Sequence, residues 1–266
     1  MLVLVLAALP LAADERILYY DSRIEVRTDG DLLVTETIRV RVEGLNIMRG
    51  IYRDIPKLQH TKWGLKTKKP FEVLSVQRDG QRDQYVVEEI GQGGMRIKIG
   101  RADYLLEHGE HTYVIVYQTG RQLHLEAGRD VLYWNAIGTE WMFPIDKATA
   151  TVVLPQGIEA REFWGYTGSY GSEGKDFQAR AEGNQVKFEA TRAFAPEEGM
   201  TVVVVWPPGL LEPAVYQEKT SLVKDHPAVL AAAAVLGGAL LYYLLAWLMV
   251  GKDPEKGVII PHYEPP

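Results

Sequence analysis

The chain has 266 residues, with 35 acidic against 29 basic side chains and a formal net charge of -6, and it contains no cysteine. This mild acidity argues against a nucleic-acid partner, because duplex binding depends on a basic face that neutralises phosphates. A chain without cysteine forms no disulfide, and it offers neither a thiol nucleophile nor a cysteine metal ligand.

The first segment, residues 1–13, has the composition of a secretory signal peptide. Its apolar run MLVLVLAALPL is followed by two alanines, and it is too short to span a bilayer. No Lys or Arg precedes the run, so the signal is either weak or trimmed at its start. A buried first strand is the alternative, which Pro10 and the alanines disfavour. We expect cleavage near Ala13.

Residues 14–208 have the pattern of about a dozen strands. In residues 32–44 apolar and polar side chains alternate, which is typical of a half-buried antiparallel strand. Turn signals such as TDG at residues 28–30 separate the runs, and no long helical period interrupts them. The pattern predicts an all-β ectodomain built as a β-sandwich of antiparallel sheets. The strands could form one large sandwich, or two small ones divided near residues 120–145.

The C-terminal part predicts a linker at residues 209–226 and then a membrane helix. Residues 228–250 are 23 residues without a charge and roughly 35 Å long as a helix, which predicts a single transmembrane helix over residues 227–250. A buried helix of a soluble protein is the alternative. With a cleaved signal peptide, residues 14–226 would lie outside the plasma membrane and the tail, residues 251–266, would lie in the cytoplasm.

Small residues recur along the predicted membrane helix. Ala233 with Gly237, and Ala234 with Gly238, have the spacing that lets a second helix approach closely. A homodimer through this helix is therefore one hypothesis, although alanine-rich helices generate such pairs readily. The lipid around the helix is the other expected partner of this segment.

Several segments of the chain resemble a known family. They are TDG at residues 28–30, VTETI at 34–38, RGIYRDIP at 49–56, YWNAIGTEWMFPI at 133–145 and GKDPEKGVIIPHYEPP at 251–266. Together they are similar to the domain of unknown function 2207 family, the YciQ-like predicted membrane proteins. The resemblance covers essentially the whole chain.

This resemblance implies a secreted, β-rich N-terminal region anchored by a membrane helix, and it implies no known reaction. Many relatives continue beyond the EPP sequence into further membrane segments, so the tail looks truncated or unusually short. We interpret eight residues within the similar segments as structural hallmarks: Glu36, Gly50, Pro56, Tyr133, Trp134, Asn135, Gly138 and Trp141.

No catalytic signature is present in the sequence. It lacks a nucleophile elbow, an HExxH motif, a P-loop and a Rossmann glycine string. No cofactor and no metal site are predicted, since the nearest candidate cluster, residues 107–111, has the wrong spacing for zinc ligands. We therefore expect no enzymatic activity. The alternative is an envelope hydrolase whose carboxylates come from distant strands.

The string MRGIYRDIP holds the first candidate binding residues, Arg49, Tyr52, Arg53 and Asp54. As a strand it would place both arginines on one face beside isoleucines, where the guanidinium groups must be paired, with Glu36 and Asp54 as available partners. One hypothesis is a latch, in which these charges fix the register of strands. The other is an anion clamp for a phosphate-bearing lipid or polymer, which suits the fork geometry of arginine.

The second candidate set is aromatic. Trp164, Tyr166 and Tyr170 lie among glycines, and packing in the sandwich core is the favoured interpretation of this stretch. The alternative is an exposed loop whose rings could stack on sugars, and this stretch suits a loop better than Trp134 and Trp141 do. Core packing is the favoured interpretation for Trp134 and Trp141.

These features predict an uncharacterised, membrane-anchored, extracytoplasmic module of the bacterial envelope. The first hypothesis for its function is non-catalytic binding of a protein, a glycan or an anionic envelope ligand. The alternatives are the envelope hydrolase and an accessory subunit of a membrane transport or assembly complex. A fold alone does not name a ligand.

Overall fold

The computed structural model describes residues 14–55, 58–60, 66–68, 70–91, 94–126, 128–213, 215 and 227–251. These residues form a succession of strands followed by one long helix, α1 (Pro227–Val250), so the predicted all-β domain followed by a single apolar helix is confirmed. The predicted signal peptide, Pro56, most of the predicted linker and residues 252–266 lie outside the described residues. The chain divides into two compact units, residues 1–218 and residues 219–266.

In chain order the strands are β1 (Arg16–Val26), β2 (Leu32–Val42), β3 (Gly50–Ile55), β4 (Leu58–His60), β5 (Lys66–Lys68), β6 (Phe71–Arg78), β7 (Gln81–Arg82), β8 (Tyr85–Ile90), β9 (Gly94–Gly100), β10 (Gly109–Thr119), β11 (Leu123–Glu126), β12 (Arg129–Ile137), β13 (Ala148–Val153), β14 (Glu162–Gly168), β15 (Phe177–Glu182), β16 (Gln185–Ala190) and β17 (Gly199–Trp206).

The largest sheet has eight strands in the order β15-β16-β13-β1-β2-β10-β6-β7. Strand β1 is antiparallel to β2 and parallel to β13, so strands from both sides of residues 120–145 pair in one sheet. The other sheets have the orders β11-β12-β17-β14, β3-β9-β8 and β4-β5.

Alternating side chains build the core. In β2 the apolar side chains of Leu32, Val34, Ile38, Val40 and Val42 are buried, and the threonines and arginines that alternate with them over residues 35–41 are partly or largely exposed. This is the pattern of a strand with one face on the core. The inward face also carries one charged side chain, which belongs to the candidate site.

Contacts between the sheets make the domain a sandwich. The rings of Phe163 in β14 and Phe188 in β16 meet edge to face, with their centroids 6.3 Å apart. One buried cluster draws side chains from the eight-stranded, four-stranded and three-stranded sheets. This continuity favours the alternative of one large sandwich.

The first part of the predicted linker packs against the sandwich. Leu211 is buried, and Val215 packs on the core cluster. The Glu212 N–H donates to the carbonyl oxygen of Thr28 at 2.9 Å, and the Thr28 hydroxyl donates to the Glu212 carboxylate at 2.9 Å. The domain therefore extends past the predicted boundary at residue 208, because the β1–β2 turn binds the chain that leaves β17.

Helix α1 is long and apolar enough to cross a membrane, with a mean hydropathy of 1.9 over Ala231–Met249. Gly237 and Gly238 face open space within the described helix, where no heavy atom lies within 4 Å of a Cβ built at either position. The pairing of these glycines with Ala233 and Ala234 against a second helix stays a prediction.

Candidate functional site

A cleft of about 640 Å³ lies beside the three-stranded sheet. Its walls come from residues 45–52 with Asp54, from residues 98–102 with Arg96, and from residues 140–143. Two of these walls overlap the sequence segments 49–56 and 133–145. Segments that are distant in sequence thus meet at one concave surface, which is the usual form of a ligand site.

Two glycines face each other where β3 and β9 meet at the cleft. Gly50 pairs with Gly100 across the two strands, and their φ angles are +145° and +119°. A Cβ on Gly50 would overlap the carbonyl oxygen of Ile99, and a Cβ on Gly100 would overlap that of Arg49. Only glycine permits this close backbone approach, so the strand pairing itself requires both residues.

A buried carboxylate holds the loop that precedes β3. Glu15 accepts hydrogen bonds from the backbone N–H groups of Glu43, Leu45, Asn46 and Ile47, at N···O distances of 2.7–3.3 Å. Burial alone would raise the pKa of Glu15, but these donors outweigh burial and lower the pKa. Because Leu45, Asn46 and Ile47 line the cleft, Glu15 fixes the shape of this wall.

Replacing Glu15 with glutamine is expected to lower the free energy of unfolding by about 1.5–3 kcal/mol, because the neutral amide loses the charge that these donors share. The lowered folded-state pKa also sets a pH dependence. The stabilisation that the charged Glu15 carboxylate provides is fully present above the unfolded pKa of about 4.3. It is lost as the pH falls through the lower pKa of the folded state.

Urea titrations of the full chain in nonionic detergent, at neutral and at acidic pH, measure this effect. The difference between wild type and Glu15→Gln should shrink as the pH falls. Glu182→Gln is the control, since the Glu182 carboxylate lies in an exposed ion pair with Arg180. A Glu15→Gln deficit that stays constant at all pH values would contradict the assigned role.

Cationic side chains outnumber anionic ones in the cleft. The cations are Arg49, Arg96, Lys98 and Arg101, and the anions are Asp54 and Glu140. The cleft is therefore locally positive, although the whole chain has a formal net charge of -6. Such local charge favours an anionic ligand.

Most of the arginines of the cleft already have partners. Arg96 donates two hydrogen bonds to Asp54, at 2.7 and 2.6 Å, and its guanidinium lies over the exposed ring of Tyr52 at 5.0 Å. Arg101 is paired with Asp103 at 2.6 Å. Arg49 differs, since it is exposed and forms no ion pair with any residue in the described part of the chain. Its guanidinium is available to a ligand.

Arg53 lies on the opposite face of β3 and is buried. Its Nε and Nη2 donate to the two carboxylate oxygens of Glu36 in β2, at 2.7 and 2.8 Å, and its Nη1 donates to the carbonyl oxygen of Asp54. The Tyr117 hydroxyl donates to the same carboxylate at 2.9 Å. The side chain of Arg53 is only 2% exposed, so it joins β3 to β2 and is not a surface for ligands.

Burial controls the protonation of this ion pair and its neighbours. Burial alone would lower the pKa of Arg53, but the adjacent Glu36 outweighs burial and raises the pKa well above its usual value. Burial raises the pKa of Tyr20 and of Tyr117 well above the usual value. The arginine therefore stays charged and the hydroxyls stay neutral near neutral pH, which supports the latch hypothesis for Arg53.

The segment after β12 packs against the buried pair of Arg53 and Glu36, which we call the latch. A Cβ on Gly138 would lie 2.8 Å from Nη1 of Arg53, and the Glu140 carboxylate is 4.0 Å from the same nitrogen. Trp141 is buried, as predicted, and its ring meets that of Tyr20 edge to face at a centroid distance of 5.8 Å. The latch thus supports two walls of the cleft.

The other hallmark residues of this segment lie in β12. Trp134 is buried in the core, as predicted. Tyr133 is half exposed, and the Asn135 side-chain oxygen accepts a hydrogen bond from the Thr201 hydroxyl at 2.6 Å. These residues lie outside the cleft lining.

The aromatic candidates lie elsewhere. Trp164 and Tyr166 belong to β14 and pack on the valines Val203 and Val205 of the four-stranded sheet. They lie in a strand and not in the alternative exposed loop, because pairing with the valine-rich strand β17 extends the chain as a strand. Tyr170 follows the strand and is 94% exposed. None of the three aromatic residues lines the cleft.

A family model described as "Predicted membrane protein (DUF2207) N-terminal domain" matches residues 16–206. The "Uncharacterized protein YciQ" of Escherichia coli (strain K12) is 26% identical over 264 residues, which cover 95% of this chain and 41% of that protein. The chain therefore spans about two fifths of the length of this relative.

Solved structures give weaker likenesses. Yeast LTA4 hydrolase in complex with bestatin has a TM-score of 0.48 at 14% identity, over 72% of this chain and 28% of that one. An M1 zinc metallopeptidase from Deinococcus radiodurans has a TM-score of 0.40 at 14% identity, over 71% of this chain and 42% of that one. Likenesses at these scores carry no argument about activity.

Proposed function

Since this chain belongs to the DUF2207 family of predicted membrane proteins, we propose that it is a membrane-anchored binding module whose cleft takes an anionic ligand. The binding is non-catalytic. The two carboxylates that line the cleft are engaged with cations, since Asp54 is paired with Arg96 and Glu140 lies 4.0 Å from Arg53. Neither is left as a free acid or base for chemistry.

The proposed location is the outer side of the plasma membrane. Its support is the signal-like composition of residues 1–13 together with the lysines Lys252 and Lys256, which follow the apolar helix. In this arrangement the sandwich is extracytoplasmic, helix α1 is the anchor and the C-terminus is cytoplasmic.

Arg49 is the single observation that carries the proposed ligand chemistry. Its exposed guanidinium is unpaired among the described residues, and it stands in a cleft with further cations. A guanidinium recognises phosphate or carboxylate through paired hydrogen bonds. The same cleft offers apolar surface from Met48, Met142 and Phe143, so its ligand combines an anionic head with an apolar part.

The test uses the full chain in nonionic detergent, titrated calorimetrically with dihexanoyl phosphatidylglycerol, dihexanoyl phosphatidylcholine and sn-glycerol 3-phosphate. We expect phosphatidylglycerol to bind most tightly, because it alone joins a net negative head to an apolar part. Glycerol phosphate separates a free anion from a lipid headgroup as the source of the charge. Arg49→Gln should weaken phosphatidylglycerol binding about tenfold, the loss of one charge-assisted contact.

Arg180→Gln is the matched control, since Arg180 lies in β15 in an exposed pair with Glu182 and outside the cleft. It should bind phosphatidylglycerol as wild type does. Equal affinity for phosphatidylglycerol and phosphatidylcholine would reject the anionic ligand. An unchanged dissociation constant for Arg49→Gln would reject the cleft as its site.

A further inference from the structure

Large apolar side chains stand exposed on three loops around the cleft. They are Leu45 (61% exposed), Met48 (40%), Leu105 (61%) and Met142 (80%). Single exposed apolar residues need no explanation, but several at one site mark a surface that contacts another apolar phase.

These side chains belong to one surface. Leu45, Met48 and Met142 all line the cleft. The loop that carries Leu105 is joined to the same rim, because the Leu106 N–H donates to the carbonyl oxygen of Met48 at 2.8 Å. We name the four side chains Leu45, Met48, Leu105 and Met142 the apolar rim.

Cations accompany the apolar rim. Arg49 follows Met48 directly, and Lys98 and Arg101 line the same cleft. Apolar side chains interspersed with Lys and Arg are the composition of protein surfaces that lie in the interface of an anionic bilayer, where each cation near the surface is attracted to the lipid charge. The chain as a whole is acidic, so this local charge would orient the domain with the apolar rim toward such a surface.

We propose that the apolar rim docks into an anionic lipid leaflet, so that the cleft receives a lipid headgroup directly from the bilayer. The inference rests on the proposed function, because it assigns the anionic ligand of the cleft to the membrane. Leu45, Met48, Leu105 and Met142 enter the headgroup region, and Arg49 meets the lipid phosphate.

The absence of cysteine from the sequence allows a direct measurement on the full chain. Met142→Cys and, as the control, Tyr170→Cys each receive one nitroxide label, and both positions are highly exposed, so neither label disturbs packing. Each protein is placed in nanodiscs of phosphatidylcholine alone or of phosphatidylcholine with phosphatidylglycerol. Electron paramagnetic resonance then gives the accessibility of the label to oxygen and to a water-soluble nickel relaxant.

We expect the ratio of oxygen to nickel accessibility at residue 142 to rise several-fold in the phosphatidylglycerol discs, and the label at residue 170 to stay water-like in both. Adding Arg49→Gln to the Met142→Cys protein should reverse the rise. A water-like label at residue 142 in both bilayers overturns the docking. A label there that is immobilised and inaccessible to both relaxants indicates a protein partner, and it overturns the docking as well.

The two proposals fail separately. If short-chain phosphatidylglycerol binds the cleft while the label at residue 142 stays in water, the proposed function stands and the docking is rejected. If the label enters the leaflet while no short-chain lipid binds, the anionic ligand of the cleft is rejected.

Discussion

Replacing Arg53 with alanine is expected to lower the free energy of unfolding by about 3–5 kcal/mol, the cost of removing one partner from a buried ion pair. The Glu36 carboxylate would then remain fully buried and would keep the Tyr117 hydroxyl as a donor without any cation in contact among the described residues. An unpaired charge at this depth either costs free energy or takes up a proton. Strand β3 would also lose the bonds that join it to β2.

Urea unfolding of the full chain in nonionic detergent, followed by tryptophan fluorescence, measures this loss. Arg96→Ala is the matched control, because Arg96 lies in the same three-stranded sheet and also forms a pair of hydrogen bonds with one carboxylate, that of Asp54. Its side chain is 37% exposed, so its removal should cost only about 0.2–1 kcal/mol. Similar losses for the two variants would contradict the latch.

A double variant distinguishes the buried charge from lost packing. In Arg53→Met the methionine keeps most of the side-chain volume but leaves Glu36 charged and unpaired, whereas adding Glu36→Gln removes that charge and keeps an acceptor for Tyr117. The double variant should therefore be more stable than Arg53→Met alone. If it is less stable, the charge on Glu36 is not the origin of the loss.

The pairing of Arg53 with Glu36 could be predicted from the sequence, because each residue lies in a run where buried and exposed side chains alternate. Glu36 stands between the inward-facing Val34 and Ile38, and Arg53 stands between Ile51 and Ile55, so both charges had to point into the core. The same alternation failed for Arg49. Strand β3 begins at Gly50, so the face of the strand does not extend to the residue before it.

The cleft could not be predicted in this way, because it depends on pairing between distant segments. Arg96, Lys98 and Gly100 lie in a run that has the pattern of an ordinary strand, and only the register of β3 with β9 places Arg96 beside Asp54 and Lys98 beside Tyr52. Glu15 gave a similarly weak signal, since its donors lie about 30 residues later in the chain. Register of this kind is set by the whole core rather than by local sequence.

Gly50→Ala is expected to destabilise the domain by about 3 kcal/mol, the upper end of the cost of a strained backbone, because the added Cβ would overlap the carbonyl oxygen of Ile99. A φ of +145° also lies outside the range that alanine adopts readily. Backbone atoms on both sides leave no flexible side chain to move aside. Strands β3 and β9 must therefore separate at the cleft, which displaces Arg49 from its place.

Two measurements on Gly50→Ala follow from this displacement: urea unfolding, and titration with dihexanoyl phosphatidylglycerol under conditions where the variant is folded. The control is Gly91→Ala, since Gly91 follows β8 and a Cβ there meets nothing within 4 Å. Gly91→Ala should unfold and bind as wild type does. If Gly50→Ala lost stability and kept full affinity, the glycine pair would serve strand pairing alone. A loss of both would tie the position of Arg49 to the same backbone contact that holds β3 against β9.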